Sequence, residues 1–469
     1  EGVRETVARF LGAKDPEEVV YTTGTTMGIN LVAYGWAMPQ MDAGDEIVLS
    51  VMEHHANIVP WHFLRERQGV KIKWVDVDST GYLDPQKVVD AIGPRTKLVA
   101  VTHLSNVLGT VVDVKAICEG ARAKGVPVLV DGSQAAVHMP VNVEDLGCDF
   151  YAITGHKLYG PSASGAIWIK GARMDEMRPF MGGGDMIREV HKDEVTWNDP
   201  PMKFEAGTPG IVQTIGLGVA LDYMMGLGME NIAAHERDLT AYARERLDGL
   251  NWLQVQGTTP DKAAIFSFTL NGAAHAHDIS TILDKKGVAV RAGQHCTGPL
   301  MDHLGLTATC RASFGMYNTR EEVDAQYPAP RSTFEKFMEH LLYALDLVGP
   351  DHVGMGADRD GGHHGTAGGA GLLAHGNADR GIQRGRKDTA QGGRARRAAG
   401  QAQFAGHVPH RGIAIPRCHP EALDHSTDHV RKAMRGVQPD KACPRIGIDE
   451  GAALSGLGDI GVIDQRTGP

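Results

Sequence analysis

From Glu18 to about Gly171, short apolar runs of β type alternate with stretches of helical spacing. The runs Val19–Thr22, Glu46–Ser50, Val70–Asp76, Lys97–Thr102, Val126–Val130, Phe150–Thr154 and Ala166–Ile169 predict seven strands. Between them, Ile58–Arg67, Pro85–Ala91 and Val114–Ala123 read as amphipathic helices. Several of the strands are nearly continuous in apolar residues, as strands covered on both faces are. Alternation of this kind predicts an α/β layered domain with a mostly parallel sheet. A long helical stretch interrupted by glycines follows, Ile211–Leu247. Ala263–Leu270, His277–Lys286 and Val288–Arg291 then predict strand, helix and strand of a smaller α+β domain. The division falls at 1–248 and 249–324. Val3, Val7, Phe10 and Leu11 already keep helical spacing, so the sequence opens part-way into a helix and not on a signal peptide.

The pattern changes after Asp324. Tyr327-Pro328-Ala329-Pro330 is a linker-like break, and one patterned helix, Phe334–Leu347, leads into Gly349–Asp358. Beyond Gly361 the chain is rich in Gly, Ala, Arg and His, with Phe404 a lone aromatic residue up to about His410. Such a stretch buries too little apolar surface to offset its ordering entropy, so disorder is expected there. The segment 325–361 stands apart from an irregular tail, 362–469, whose last part carries only weak helical and strand fragments.

Bulk composition narrows the classes without choosing one. The chain has 469 residues, 42% hydrophobic and 22% charged, the proportions of a soluble globular protein. It holds no apolar run of the roughly 18–20 residues that span a bilayer. A net charge of −10 argues against general nucleic-acid binding. Cys118, Cys148, Cys296, Cys310, Cys418 and Cys443 are too scattered for a disulfide framework, and no CxxC pair suggests zinc. A reducing cytosol with mostly buried thiols is the expectation.

Six segments could carry chemistry. In Thr22-Thr23-Gly24-Thr25-Thr26 a strand ends, a glycine turns the chain and two hydroxyls open a helix, a place for a phosphate or simply an N-cap. Asp131, closing Val128-Leu129-Val130-Asp131, sits where parallel sheets place ligands and could keep a pyridinium nitrogen protonated; a turn cap is the plainer alternative. Lys157 follows strand Phe150–Thr154 in a glycine-flanked loop, where its amine could form a Schiff base if its pKa is lowered. His54, in Glu53-His54-His55, could stack on a cofactor ring and move protons. A metal pair there is disfavoured, because adjacent histidines face different ways and no carboxylate-rich partner motif follows. Cys296 lies on a polar glycine-bearing loop, the setting of a reactive thiol, whereas Cys118, Cys148 and Cys310 read as core. Arg311 could grip a carboxylate in two-pronged fashion or make a surface salt bridge. The Thr22–Thr26, Asp131 and Lys157 signals are weak alone, but these three occur together in the order a pyridoxal phosphate (PLP) site requires.

With these residues in view, residues 1–324 resemble the Suf-type (group II) cysteine desulfurases and selenocysteine lyases of the class V aminotransferase family. The motifs GTTMGINLVA, MEHHANIVPW, THLSNVLGT, VLVDGSQA, ITGHKLYGP, FEAGTP, VAVRAGQHC and CRASFGMYNT stand in family order. The resemblance implies a PLP-dependent transferase of fold type I, with residues 1–248 the PLP-binding large domain. It implies Lys157 as the Schiff-base lysine and His156 at the phosphate or cofactor edge. Asp131 would pair with the pyridine nitrogen, Gln134 with the ring oxygen, and His54 would stack on the ring. Asn106 would support cofactor or substrate. Thr25, Thr26 and Thr154 would bind the phosphate, with Thr208 reaching it from the partner subunit of a homodimer. Arg311 would take the substrate α-carboxylate. Cys296 would become a persulfide as L-cysteine is converted to L-alanine, for delivery to a Suf-type sulfur acceptor in Fe–S cluster assembly. L-selenocysteine is the alternative substrate, and a PLP-binding but inactive chain the alternative outcome.

The sequence also departs from that family. The segment that helps cover the family's active site would precede Glu1, and the helix completing the small domain would follow Asp324. Ser332–Gly361 instead resembles a fragment of membrane-dipeptidase-like zinc peptidases, notably GPDHVGMGAD, without their upstream metal ligands and with Arg359 in place of an aromatic residue. A composite or frame-disrupted chain is the expectation that accommodates both.

Overall fold

The computed structural model describes residues 2–270 and 274–324. The dipeptidase-like segment, the expected irregular tail, Cys418 and Cys443 lie outside the described residues.

Seven strands form the larger sheet: β1 (Val19–Thr22), β2 (Glu46–Ser50), β3 (Lys71–Val75), β4 (Thr96–Thr102), β5 (Val128–Asp131), β6 (Phe150–Thr154) and β7 (Gly165–Ile169). Their spatial order is β1-β7-β6-β5-β4-β2-β3. The pairs β2–β3, β2–β4, β4–β5 and β5–β6 are parallel, and β7 runs antiparallel to both neighbours, so six strands point one way. This is the mostly parallel seven-stranded sheet that the sequence predicts.

The near-continuous apolar runs follow from burial on both faces. Val48, Val99, Val101, Val128, Val130, Tyr151 and Ile153 join one core. Their alternating neighbours Ile47, Leu49, Leu98, Ala100, Leu129, Phe150 and Ala152 join the other. Helices supply the covering layers. Val114–Ala123 buries Val114, Ile117, Cys118 and Ala121 on one side, and its first turn is capped by Asp113, which accepts from Ala116 N at 3.0 Å. The long helical stretch divides into Ile211–Leu227 and Met229–Asp248, bent by 73° at Gly228, whose φ of +89° suits glycine.

A two-stranded hairpin, β8 (Ile187–Val190) with β9 (Val195–Trp197), follows the large sheet; these two short strands are not among those the sequence analysis predicts. The smaller sheet is antiparallel, β10-β11-β13-β12, built from β10 (Leu253–Gln256), β11 (Ile265–Leu270), β12 (Arg291–Gly293) and β13 (Thr309–Ser313). The strand expected at Val288–Arg291 is thus corrected to Arg291–Gly293. Gly287, at φ +80°, still belongs to the turn after the helix Ala276–Lys285, and the ladder with β13 begins only at Arg291.

Gly165 is the tightest point of the large sheet. A Cβ there would lie 2.6 Å from Gly24 Cα and 2.7 Å from Ile153 O, both backbone atoms that cannot swing away. Gly165→Ala is therefore expected to cost about 1–3 kcal/mol, the usual range for overpacking. Gly182, where an added Cβ would meet nothing within 4 Å, is the control. Urea midpoints should fall for Gly165→Ala and hold for Gly182→Ala; equal midpoints would contradict the packing.

Candidate active site

Strands β1, β2, β4, β5 and β6 all end at one edge of the large sheet, and the loops leaving those ends carry the candidate residues. In such sheets ligands lie outside the carboxyl ends of the strands. Asp131 ends β5 and is buried, its Oδ1 accepting from Ser133 N at 2.9 Å. Lys157 closes a 3₁₀ turn, Gly155–Lys157, immediately after β6. Burial lowers its pKa, opposed chiefly by the negative charge of Asp131 and reinforced by Arg311 and Arg291. The amine is thereby brought closer to the neutral form that a nucleophile needs.

His54 follows β2 and caps the 3₁₀ turn His55–Asn57, its Nδ1 accepting from Ala56 N at 3.1 Å. That bond leaves the ring proton on Nε2, and burial favours the neutral ring by lowering its pKa, against the opposing pull of Asp131. Beneath it lies Glu53, fully buried. Its carboxylate accepts from Ser50 Oγ at 2.5 Å, from Asn57 Nδ2 at 2.7 Å and from the Thr102 backbone. Sequence reasoning assigns Glu53 no part, yet it ties the His54 turn to the ends of β2 and β4.

A second group of donors gathers at the start of the helix Thr25–Leu31. Gly24 lets this turn approach Thr154, whose Oγ1 would lie 3.0 Å from a Cβ at that position. Ser133 Oγ donates to Thr25 Oγ1 at 2.7 Å, and Thr154 Oγ1 lies 3.0 Å from His156 Nδ1. Hydroxyls from three separate loops thus join a helix start with no side-chain cap, a donor set that suits a phosphate. Ser133 belongs with them, although nothing in the sequence singles it out. Thr26 is exposed on the same turn, and Gln134 is partly exposed at the start of the helix after β5. Thr208 stands apart from these groups in the exposed loop ahead of Ile211.

The smaller sheet contributes the thiol and two guanidinium groups. Cys296 is half-buried, and both it and His295 adopt left-handed backbone, with φ of 60° and 54°. Non-glycine residues hold that conformation only where surrounding structure enforces it. Here Asn106 Nδ2 donates to His295 O at 2.9 Å and His55 N to Cys296 O at 2.7 Å, while Gly298 N donates to His55 Nε2 at 3.0 Å. His295 Nε2 lies 2.9 Å from Thr309 Oγ1, and burial lowers its pKa to about 4, so the neighbouring ring is neutral. Cys118, Cys148 and Cys310 are buried in the cores, as the sequence implies.

Arg291 and Arg311 stand directly opposite each other on β12 and β13. Like charges facing across a ladder are unfavourable, so the pair makes physical sense as a receptor for an anion. Arg311 Nη1 donates to Asn106 O at 2.8 Å, while its buried Nε has no partner among the described residues. Burial and Arg291 together pull the Arg311 pKa down to about 10. Arg291 Nη2 lies 3.9 Å from Cys296 Sγ, placing a donor beside the thiol. The sequence alone assigns Arg291 no role; its register opposite Arg311 reveals one.

A lysine of lowered pKa and an acid at neighbouring strand ends, together with hydroxyls suited to a phosphate, are groups able to hold an aldehyde cofactor with a ring nitrogen. The chain belongs to the class-V aminotransferase family, whose profile matches residues 1–325. A Xylella fastidiosa (strain 9a5c) protein named "Probable cysteine desulfurase" is 48% identical over 349 residues, covering 74% of this chain and 81% of that relative. The crystal structure of the Escherichia coli cysteine desulfurase CsdA, in an S-sulfonic acid form, matches with a TM-score of 0.68 at 37% identity. That match covers 74% of this chain and 83% of CsdA. A mutant of the lyase C-DES with glycine covalently linked to its PLP cofactor matches with a TM-score of 0.61 at 25% identity, over 73% of this chain and 84% of that one.

Glu53 allows a test of the site's electrostatics. Burial pushes its pKa from 4.5 to about 8, against the three hydrogen bonds it accepts. Between those values the folded state binds a proton that the unfolded chain has released, so stability falls as pH rises through the window. Glu53→Gln has no such proton. The stability of the native protein relative to this variant should therefore decline from pH 5 to pH 8 in chemical denaturation (roughly the window set by the linkage). A difference independent of pH would mean that the three donors keep the carboxylate ionised throughout.

Proposed function

We propose that this protein is a PLP-dependent cysteine desulfurase that converts L-cysteine to L-alanine with Cys296 as sulfur acceptor. The observation that carries the reading is the Cys296 thiol, held in left-handed backbone beside Arg291, bonded through its carbonyl to His55 N after His54, and near enough to Lys157 for its charge to act there. When bound, PLP draws electrons from the substrate α-carbon. Asp131 fits the ring nitrogen, Gln134 the ring oxygen, His54 the ring face, and Thr25, Thr26, Thr154 and His156 the phosphate. Asn106 would support cofactor or substrate. The buried Nε of Arg311, without a partner among the described residues, offers a hydrogen bond to the substrate carboxylate. Lys157 Nζ, its pKa lowered by burial, takes the α-proton. The Cys296 thiolate then attacks the substrate sulfur: an S–S bond forms as the Cβ–S bond breaks, and the departing electron pair stays with the three-carbon fragment that is released as alanine. Arg291 Nη2 can hydrogen-bond the attacking sulfur.

We further read residues 1–248 and 249–324 as large and small domains. The motif set supports a Suf-type grouping, and hence a Suf-type protein as sulfur acceptor and a cytoplasmic location; among the described residues no single helix is long and apolar enough to cross a membrane. A homodimer is supported by an apolar stripe on helix Ile211–Leu227. Ile211, Ile215, Val219 and Tyr223 follow one another at four-residue spacing, with Val212 beside them, and each is more than half exposed. Thr208 precedes the stripe, where it could reach the phosphate site of a partner subunit.

The purified protein should be yellow, and Lys157→Ala should abolish the absorbance of the lysine-bound cofactor; a colourless native protein contradicts PLP binding. Cysteine should yield alanine and sulfide, with a loss of about a hundredfold or more in Cys296→Ala, as for other removed nucleophiles. If Cys296→Ala keeps turnover of selenocysteine but the native protein ignores cysteine, the enzyme is a selenocysteine lyase instead. Val212→Asp with Val219→Asp should shift sedimentation from dimer to monomer; unchanged sedimentation would remove the stripe from the interface.

A further inference from the structure

Asn106 begins a short turn whose carbonyl groups accept hydrogen bonds from outside the large sheet. Four of them in succession receive a donor from the smaller sheet or the segment leading into it. Arg311 Nη1 donates to Asn106 O at 2.8 Å and Ser267 Oγ to Val107 O at 2.7 Å. Lys262 Nζ donates to Leu108 O, and Ala263 N to Gly109 O at 2.9 Å. Gly109, at φ +71°, has no room for a side chain, because a Cβ would lie 2.9 Å from Ile265 O and 3.0 Å from Lys262 Nζ. The turn is therefore fastened to the smaller sheet residue by residue.

Neither Lys262 nor Ser267 has a part in the chemistry described above, and both are unusual where they stand. Ser267 is fully buried in β11, and Lys262 is 7% exposed. Among the described residues the Lys262 ammonium has no acidic partner. It sits 5.2 Å from the centre of the Phe266 ring, and burial, with Arg244, lowers its pKa to about 7. A lysine buried at this cost without an acid calls for a reason, and either protonation state still carries an N–H for Leu108 O. On its other side the same turn reaches the thiol loop, through Asn106 Nδ2 to His295 O at 2.9 Å.

We propose that Lys262 and Ser267 are positioning residues for the Cys296 thiol: by gripping the carbonyl groups of Leu108 and Val107, they fix the turn from which Asn106 holds the left-handed Cys296 loop. The proposal rests on Cys296 being the sulfur acceptor. It assigns to two residues remote from the substrate the task of keeping the sulfur in line for attack. Positional errors of this kind act on the transfer step more than on substrate binding.

The test uses Lys262→Met and Ser267→Ala, each in the full PLP-loaded chain. Backbone amide exchange of the segment 293–298 should quicken in both variants, while that of β4, β5 and β6 is unchanged. With cysteine, kcat should fall about tenfold and KM change less than about twofold, the scale of one lost buried hydrogen bond acting on a positioned group. Turnover of selenocysteine, whose selenium leaves without needing the thiol, should stay within about twofold of the native rate. Unchanged exchange in 293–298, or an equal fall with both substrates, would overturn the proposal. Amide exchange requires no turnover, so it decides whether the turn holds the loop even if cysteine proves not to be the substrate. Absence of cysteine turnover in the native protein would count against the reading of Cys296 and not against the clamp.

Discussion

Strands β1, β2, β4, β5 and β6 share one direction, and their ends lie along one edge of a sheet whose two faces are both buried. Every candidate group from the larger sheet hangs from one of those ends: Thr25 beyond β1, His54 beyond β2, Asn106 beyond β4, Asp131 on β5, Lys157 beyond β6. The constraint is mechanical. Each strand is fixed by ladders and by apolar packing above and below, so residues one to five positions past its end have little freedom. The price of that arrangement appears at Gly165, where two backbones meet closely enough that a methyl group has no place.

The smaller sheet completes the site by opposition. It brings Arg291 and Arg311 face to face, a repulsive pair that an anion would relieve, and sets a thiol in strained backbone beside them. The charges of these arginines and of the buried acid Asp131 act on Lys157 in opposite senses, and burial lowers the pKa of both the His54 and the His295 ring. The loop bearing Cys296 is held from two directions, by the His54–His55 turn through His55 and by the β4 turn through Asn106. Glu53 anchors the first of these and the Lys262–Ser267 grip the second, so the sulfur is positioned by groups that never touch the substrate.

Much of this is legible in the sequence, for identifiable reasons. Strands buried on two faces leave near-continuous apolar runs, and Asp131 and Lys157 declare themselves by following such runs directly. Alternation along β13 likewise separates Cys310, which enters the core, from Arg311, which faces Asn106. What escapes is whatever depends on pairing between distant segments. Apolar composition places strand β12 three residues early, because Val288 and Val290 look like strand residues while only the ladder with β13 defines one. Arg291 gains meaning from its opposite number, Ser133 from Thr25, and Glu53 from Ser50 and Asn57 once the chain has turned back on itself. Lys262 and Ser267 lie in segments of no chemical distinction, and nothing short of the fold joins them to Asn106.

The central claim is that Cys296, and no other thiol, receives the sulfur. Incubating the PLP-loaded protein with sulfur-labelled cysteine, then trapping and identifying its peptides by mass spectrometry, addresses this directly. The expected result is one labelled sulfur atom on the peptide containing Cys296 and none on those containing Cys118, Cys148, Cys310, Cys418 or Cys443. Label on one of the buried thiols, or alanine formed while Cys296 stays unmodified throughout turnover, would contradict it.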